Sequence, residues 1–177
     1  MTAQDAFQKI TNGGADDFAQ AIAICEQVRD YCLVGGLAVN CYVDPVYTLD
    51  ADLVVHTDQL SKVRSLFEGE GFRLEGHPHS LNIQSPGSDL RIQLTKDPRY
   101  QDFVIRAQAK KVFGIHVKVA CLEDIVQGKI WAWSDPQRRL SKRQKDQADL
   151  IRIAESYPEI RHRLPAELQK LFPSGHA

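Results

Sequence analysis

Apolar side chains recur at helical spacing between Asp16 and Tyr31, directly after a Gly13-Gly14 breaker. This pattern predicts a helix that packs on a hydrophobic core. The apolar run Cys32-Leu33-Val34 then stops at Gly35-Gly36, and helical spacing resumes over Leu37–Tyr42. The sequence therefore predicts a strand, a glycine turn and a short helix in that order.

Short extended segments dominate the middle of the chain. Runs of β-branched or alternating apolar residues predict strands at 51–55, 72–74, 81–83, 90–94 and 115–119, and one apolar helical face predicts a helix over 59–67. The residues Ser85-Pro86-Gly87-Ser88 have turn chemistry, so the third and fourth of these strands should form an antiparallel hairpin. A mixed sheet is expected from these elements.

The last third of the chain is predicted to be helical, beginning with Leu122–Trp133, and residues 173–177 are expected to form a loose tail. No internal repeat or low-complexity linker interrupts the sequence. We therefore predict an α/β fold with a small mixed sheet flanked by helices. One domain should span 1–177, with its core at about 16–120 and a helical C-terminal part at about 121–172.

Composition and charge narrow the class of protein. The chain has 177 residues, of which 43% are hydrophobic and 25% are charged, as in ordinary globular domains. Its formal net charge of -1 gives no overall attraction to nucleic acid or to an anionic membrane. The N-terminus lacks a signal-peptide pattern, no apolar run reaches the length of a membrane span, and the four cysteines show no CxxC or zinc-ligand spacing. These features predict a cytoplasmic protein with free thiols and no membrane partner.

Two carboxylates stand at the entrance of the predicted strand 51–55. Asp50 and Asp52 are two residues apart, so their side chains should leave the same face of the sheet, with Cα atoms roughly 6–7 Å apart. Magnesium takes oxygen ligands and keeps some of its waters, so one or two carboxylates plus substrate phosphates complete its shell. Two such ions can clamp both oxygens of a phosphoryl displacement. Taken alone, an Asp-x-Asp pair is more often a solvated strand end.

The glycine pair offers a complementary feature. Gly35-Gly36 ends one predicted strand and opens a helix, so its bare backbone lets phosphates approach amide N–H groups at the positive end of that helix. Taken alone, a glycine pair is most often just a turn. The order of strand, glycine pair, short helix and paired carboxylates is a more specific pattern than either part.

This compound pattern resembles the nucleotidyltransferase superfamily, and in particular its AbiEii-like toxin branch. The resemblance rests on the segments Leu33-Val34-Gly35-Gly36-Leu37-Ala38-Val39-Asn40 and Thr48-Leu49-Asp50-Ala51-Asp52-Leu53-Val54-Val55. Further residues are similar to the helical C-terminal part of that branch: Leu122-Glu123-Asp124-Ile125, Lys129, Ala132, Lys145-Asp146 and Asp149-Leu150. The resemblance covers roughly residues 30 to 155.

The resemblance implies a nucleotidyltransferase-like fold and the metal-dependent transfer of a nucleoside monophosphate from a triphosphate to a hydroxyl acceptor. In this interpretation Asp50 and Asp52 are catalytic and bind Mg²⁺ or Mn²⁺. The implied nucleotide-binding residues are Gly35, Gly36, Thr48 and Lys129. The resemblance leaves three kinds of acceptor open: a small molecule, an RNA end and a protein side chain. A toxin role would imply an antitoxin partner.

Two departures from the family pattern bear on activity. Members that transfer nucleotides usually carry a third carboxylate on a later strand, and Gln93 stands at the position that we align with it. Asp89 shares the face of Gln93, but four residues along a strand span roughly 13 Å. Many relatives also have an arginine two residues before the threonine, where this chain has Val46. The alternative function is therefore a catalytically degenerate nucleotide- or partner-binding module of the same fold.

Two features of the C-terminal part each allow two interpretations. Lys129 lies on an otherwise apolar helix face, where it could reach a phosphate or extend its long stem out of a core. The basic stretch 138–145 resembles a phosphate-contacting helix. However, Lys142 with Asp146 and Lys145 with Asp149 stand at i,i+4, which favours an exposed helix decorated with ion pairs.

Overall fold

A computed structural model describes residues 2–85 and 87–173. Within this range the chain forms two compact units, which divide between Cys121 and Leu122. Their boundary falls where the sequence separates a core from a helical C-terminal part, and the assignment of both to one domain stays a prediction. The expected loose tail lies outside the described residues, except for Pro173.

Two helices precede the sheet of the first unit, α1 (Ala3–Ile10) and α2 (Gly14–Glu26). Apolar spacing did not predict α1, which begins with a capping box: Asp5 N donates to Thr2 Oγ1 at 3.1 Å, and Thr2 N donates to Asp5 Oδ2 at 2.8 Å. The helix predicted between Asp16 and Tyr31 is confirmed as α2. It starts at Gly14, because Gly13 takes a φ of 103° that favours glycine, and it ends at Glu26, so Tyr31 lies in a strand instead.

Seven strands form one sheet in the order β3-β4-β5-β2-β1-β7-β6. Their bounds are β1 (Tyr31–Val34), β2 (Asp50–Val55), β3 (Arg73–Gly76), β4 (Ser80–Gln84), β5 (Arg91–Thr95), β6 (Gln108–Val112) and β7 (Ile115–Val119). β2 runs parallel to β5 and β1 runs parallel to β7, whereas the remaining pairs are antiparallel. The predicted mixed sheet and the β4–β5 hairpin are confirmed.

Strand β6 was not predicted, although it forms a tight hairpin with β7. Its residues Gln-Ala-Lys-Lys-Val carry too few apolar side chains to give a strand pattern. The turn is made by Phe113 and Gly114, with φ angles of 48° and 84°, as tight hairpins require. Phe113 also stacks on Phe7 of α1, with ring centroids 4.2 Å apart, and so holds α1 against this turn.

The first unit is completed by α3 (Gly35–Val39) and α4 (Leu60–Gly69), with 3₁₀ segments at Thr57–Gln59 and Pro98–Phe103. α3 directly follows β1, and both are almost wholly buried. The four cysteines are free thiols, and all except the half-buried Cys41 are buried. The predicted order of strand, glycine turn and helix is therefore confirmed.

The second unit consists of α5 (Leu122–Ser134), α6 (Leu140–Ser156), a 3₁₀ segment at Pro158–Arg163 and α7 (Ala166–Gln169). Its buried apolar residues include Ile125, Val126, Leu150 and Ile153. The helical character predicted for the last third is confirmed. No helix in the described ranges is long and apolar enough to cross a membrane.

Candidate nucleotide and metal site

The paired aspartates lie on β2, which is flanked in the sheet by β1 and β5. Asp50 and Asp52 are partly exposed, whereas Ala51 and Leu53, which alternate with them, are both 0% exposed. Because successive side chains of a strand point to opposite faces, the two carboxylates share the more open face of β2.

The glycine turn touches one of these carboxylates. β1 pairs with β2 so that Val34 lies opposite Asp52, and Gly35 follows with a φ of +70°. A Cβ atom built on Gly35 would lie only 2.0 Å from Asp52 Oδ2. No side chain fits at this position, so glycine is required both by the backbone conformation and by the approach of the carboxylate.

Gly36 and Thr48 form a second contact beside the first. A Cβ atom on Gly36 would lie 3.4 Å from Thr48 Oγ1, which is an ordinary packing distance. The Thr48 hydroxyl accepts a hydrogen bond from Asp50 N at 3.3 Å, and Thr48 is only 5% exposed. Thr48 therefore links α3 to the entrance of β2.

A cation that sequence reasoning missed lies beside the aspartates. Arg91 of β5 is the register partner of Asp50, and its Nε atom lies 2.8 Å from Asp50 Oδ1. The side chain of Arg91 is 61% exposed and that of Asp50 is 26% exposed. A positive charge is thus supplied from β5, whereas Val46, at the position of the family arginine, is an apolar loop residue.

Gln93, which the sequence resemblance aligns with a third carboxylate, carries an amide. Gln93 is exposed and is the register partner of Asp52 in the parallel β2–β5 pair. Asp89 lies before β5, where its carboxylate accepts a hydrogen bond from Asn12 Nδ2. Across residues 2–85 and 87–173 there is no group of three or more His, Cys, Asp or Glu side chains that could hold a metal ion.

The donor set nevertheless fits a hard divalent ion that completes its shell with other ligands. Asp50 and Asp52 offer carboxylate oxygens on one face, and Mg²⁺ or Mn²⁺ can take the remaining ligands from water and phosphate. Arg91 partly neutralises Asp50. Two carboxylates with a competing guanidinium should therefore hold an ion weakly until phosphate oxygens are added.

Lys129 occupies a buried charge cluster in the second unit. Its Nζ atom lies 2.9 Å from Asp146 Oδ1 and 2.6 Å from Asp149 Oδ2, and the residue is 7% exposed. Burial alone would lower the pKa of Lys129, but attraction to the two carboxylates outweighs it and the pKa is raised. Arg138 and Arg152 contact the same two aspartates.

This cluster changes the interpretation of the C-terminal motif. The interpretation of Asp146 and Asp149 as surface ion-pair partners is wrong, because both are 2% exposed and contact Lys129 from α5. The Lys129 stem does not extend to solvent for the same reason. Its predicted nucleotide contact stays a prediction, and the ion pairs of its ammonium group give that role no support.

The basic stretch 138–145 is partly engaged in contacts within the second unit. Arg138 Nε donates to Asp146 Oδ2 at 2.8 Å, and Arg143 Nε donates to the Trp133 carbonyl at 2.7 Å. These contacts join the segment to α5 and α6, so Arg138 and Arg143 have structural partners.

The fold of this chain is similar to that of solved nucleotidyltransferase structures. The chain is similar to the solution structure of the antibiotic-resistance factor ANT(2'')-Ia, with a TM-score of 0.52 and 17% identity over 87% of this chain and 85% of that chain. It is also similar to ANT(2'')-Ia in complex with adenylyl-2''-tobramycin, with a TM-score of 0.51 and 14% identity over 82% and 95% of the respective chains.

A third similar structure is an antigenic nucleotidyltransferase-like protein from Paracoccidioides brasiliensis, with a TM-score of 0.50 and 20% identity over 86% of this chain and 83% of that chain. No protein-family model and no curated protein matches the sequence. At these identities the similarity establishes the fold, and the predicted fold class is confirmed. The AbiEii-like branch is not shown by these comparisons.

Proposed function

We propose that this protein transfers a nucleoside monophosphate from a nucleoside triphosphate to a hydroxyl acceptor with the help of Mg²⁺ or Mn²⁺. The observation that carries the proposal is the contact between the Gly35 backbone and the Asp52 carboxylate. It brings backbone that carries no side chain, suited to a close approach of phosphate, next to a carboxylate that is suited to a metal ion.

The proposed step is a displacement at the α-phosphorus. The acceptor oxygen forms a bond to that phosphorus, the bond to the bridging oxygen breaks, pyrophosphate leaves with the electron pair, and the hydroxyl proton passes to water. A bound divalent ion would supply charge neutralisation at the phosphates. Asp50 and Asp52 would hold that ion, while Gly35 and Gly36 let the phosphate chain lie close to the backbone.

Thr48 and Arg91 support this arrangement from two sides. Thr48 holds Asp50 through the hydrogen bond from the Asp50 backbone, which fixes where β2 begins. Arg91 contacts Asp50 but is mostly exposed, so an arriving divalent ion can take its place at the carboxylate. The released guanidinium would then contact phosphate oxygens, for which its planar donors are well suited.

The acceptor is the open part of the proposal. One structural neighbour, ANT(2'')-Ia, is seen with adenylyl-2''-tobramycin, which supports a small-molecule hydroxyl as one option for this chain. The narrower assignment, an AbiEii-like toxin with an antitoxin partner, rests only on the resemblance of the sequence motifs.

A second candidate function is nucleotide binding without transfer. It is favoured by Gln93, which lies opposite Asp52 where active relatives usually have a third carboxylate. A neutral amide neither adds negative charge for a second metal ion nor accepts a proton from a hydroxyl. Such a module would bind triphosphate in a magnesium-dependent way and release no pyrophosphate.

Calorimetric titration of triphosphate in Mg²⁺ and in EDTA tests magnesium-dependent nucleotide binding, which both candidate functions require. The original protein should bind at least tenfold more tightly with Mg²⁺, and the double variant Asp50→Asn/Asp52→Asn should lose that difference. Equal binding in EDTA would contradict the assigned metal role. A pyrophosphate assay with pooled hydroxyl acceptors then separates transfer, which releases pyrophosphate, from the binding module, which does not.

A further inference from the structure

A cavity of about 220 Å³ lies beside the proposed site. Its walls come from α1, α3, the loop before β2 and the β6–β7 turn, and most of its lining is apolar: Phe7, Ile10, Leu37, Val46, Tyr47 and Phe113. We infer that this cavity binds an aromatic or similarly flat apolar group of the hydroxyl acceptor. This inference rests on the proposed function, because it assigns a substrate class to the same site.

Exposed apolar side chains gather at this cavity. In the described part of the chain six large apolar residues are exposed, and three of them, Ile10, Val46 and Tyr47, border the cavity. They are 41%, 43% and 54% exposed, respectively. Single exposed apolar residues are normal on a surface, whereas a cluster around a concave site indicates a ligand or partner.

The cavity is held in shape by contacts of its own walls. Asn40 Nδ2 donates to the Val46 carbonyl at 2.7 Å, and Val46 N donates to Asn40 Oδ1 at 3.0 Å. These two bonds fix the loop against α3. On the opposite side Phe7 stacks on Phe113 at 4.2 Å between ring centroids. A preformed cavity lowers the ordering cost of binding a ligand.

Thr48 joins the cavity to the proposed reaction site. It lines the cavity and also accepts the hydrogen bond from Asp50 N at 3.3 Å. Thr48 precedes Asp50 by only two residues, so the cavity adjoins the entrance of the strand that carries both carboxylates. A ligand with its ring in the cavity and a hydroxyl on a short chain could therefore extend toward the carboxylate face.

The lining chemistry favours a group of the acceptor over the base of the nucleotide. The amide of Asn40 is already bonded to Val46, and the Thr48 hydroxyl is bonded to Asp50. A base with several donors and acceptors would find few polar partners here, whereas an apolar ring needs none. The volume of about 220 Å³ also suits one ring with a short substituent, since an engineered cavity of about 150 Å³ holds benzene.

The test uses 2-phenylethanol as the probe and the full chain labelled with ¹⁵N. Two-dimensional NMR should show saturable shifts at Val46, Tyr47 and α1, with a Kd on the order of millimolar for so small a ligand. Ala6→Trp, which places a large side chain in the lining, should weaken binding at least tenfold. Butane-1,4-diol, which has hydroxyls but no ring, should give no saturable shifts at these positions.

Paired surface variants control for nonspecific effects of a new charge. Ile10→Arg should weaken probe binding at least tenfold, because it puts a cation at the apolar rim. Ile105→Arg changes an 82% exposed isoleucine that does not line the cavity, and binding should be unchanged. If Ile10→Arg and Ala6→Trp both bind the probe normally, or if the original protein shows no saturable shifts, the cavity assignment is wrong.

A final arm repeats the titration with Mg²⁺ and non-hydrolysable nucleoside triphosphate analogues. Unchanged or tighter probe binding supports an acceptor pocket, whereas competitive displacement means that the base occupies the cavity and overturns the inference. The variant Asp50→Asn/Asp52→Asn should still bind the probe. If the original protein binds the probe but shows no magnesium-dependent triphosphate binding, the proposed function is wrong and the cavity assignment stands.

Discussion

Replacing Gly35 with alanine tests the contact between the glycine turn and the carboxylate pair. Gly35 has a φ of +70°, and an added Cβ atom would lie 2.0 Å from Asp52 Oδ2 and 2.9 Å from Asp52 Cβ. The backbone conformation alone costs about 1–2 kcal/mol for a residue other than glycine. The crowding adds to this cost, because Asp52 must move or turn away.

The expected result is a loss of both stability and metal-dependent binding. For a chain of this length 1 kcal/mol corresponds to roughly 2–4 °C in Tm, so Gly35→Ala should lower Tm by at least ~2–8 °C. Triphosphate affinity in Mg²⁺ should fall at least tenfold, because Asp52 must leave the position from which it would hold the ion. Thermal unfolding followed by circular dichroism and calorimetric titration measure the two effects.

Two glycines provide matched controls for Gly35→Ala. Gly71 has a φ of +83° and no atom within 4 Å of an added Cβ, so Gly71→Ala should show the backbone cost without a change in triphosphate binding. At Gly36 an added Cβ would lie 3.4 Å from Thr48 Oγ1 and would make ordinary contact. Gly36→Ala should therefore be neutral or slightly stabilising within α3, where alanine is favoured by about 1 kcal/mol.

If Gly35→Ala behaves like Gly71→Ala, the proposed dependence of Asp52 on the glycine turn is wrong. Equal losses of Tm and unchanged magnesium-dependent affinity would mean that the Asp52 carboxylate does not depend on the glycine turn. A double-mutant cycle with Asp52→Ala sharpens this test. Because Asp52→Ala removes the 2.0 Å and 2.8 Å approaches, the stability cost of Gly35→Ala should be smaller in that background.

Three further predictions concern the charges around and beyond the site. Arg91→Gln should tighten Mn²⁺ binding in the absence of nucleotide, because the competing cation at Asp50 is removed, and should weaken triphosphate binding, as electron paramagnetic resonance and calorimetry would show. Gln93→Asp should tighten Mn²⁺ binding through a third carboxylate beside Asp52 and raise pyrophosphate release if transfer is limited by the missing carboxylate. Lys129→Met should reduce the free energy of unfolding by up to about 3–5 kcal/mol in urea denaturation at pH 7. The buried carboxylates of Asp146 and Asp149 lose their shared partner and keep only the contacts with Arg138 and Arg152. The pKa of Lys129 is raised on folding. The stability that its charge contributes is therefore complete below the unfolded pKa of about 10.4 and is lost as the pH rises through the folded pKa. Above about pH 10.4 the original protein should lose more stability than the variant.

The local patterns were sufficient to predict the elements that form the site. Cys32-Leu33-Val34 followed by two glycines became β1 and the start of α3, and the alternation around Asp50 and Asp52 became the more open face of β2. These features depend on neighbours in sequence, such as a two-residue strand period and a positive φ at glycine. Sequence patterns over a few residues therefore predict these local features directly.

Features that depend on pairing between distant segments could not be predicted from local sequence patterns. Arg91 became the partner of Asp50 because β5 runs parallel to β2 in a particular register, and no pattern within either strand specifies that register. Lys129 met Asp146 and Asp149 across two helices, where burial converts an apparent surface ion-pair motif into a buried cluster. In each case the partner lies on another element, so helix or strand periodicity alone could not identify it.

The charge balance of the candidate site predicts that metal and nucleotide binding depend on each other. Asp50 and Asp52 carry two negative charges and Arg91 returns one positive charge, while Gln93 adds none. A site of this composition attracts a divalent ion less strongly than three carboxylates would, so phosphate oxygens must supply much of the remaining attraction. By linkage, Mg²⁺ must tighten triphosphate binding by the same factor by which triphosphate tightens Mg²⁺ binding. Calorimetric titrations of triphosphate with and without Mg²⁺ measure this factor, and equal affinities in the two titrations would show that the ion and the nucleotide do not meet at this single pair of carboxylates.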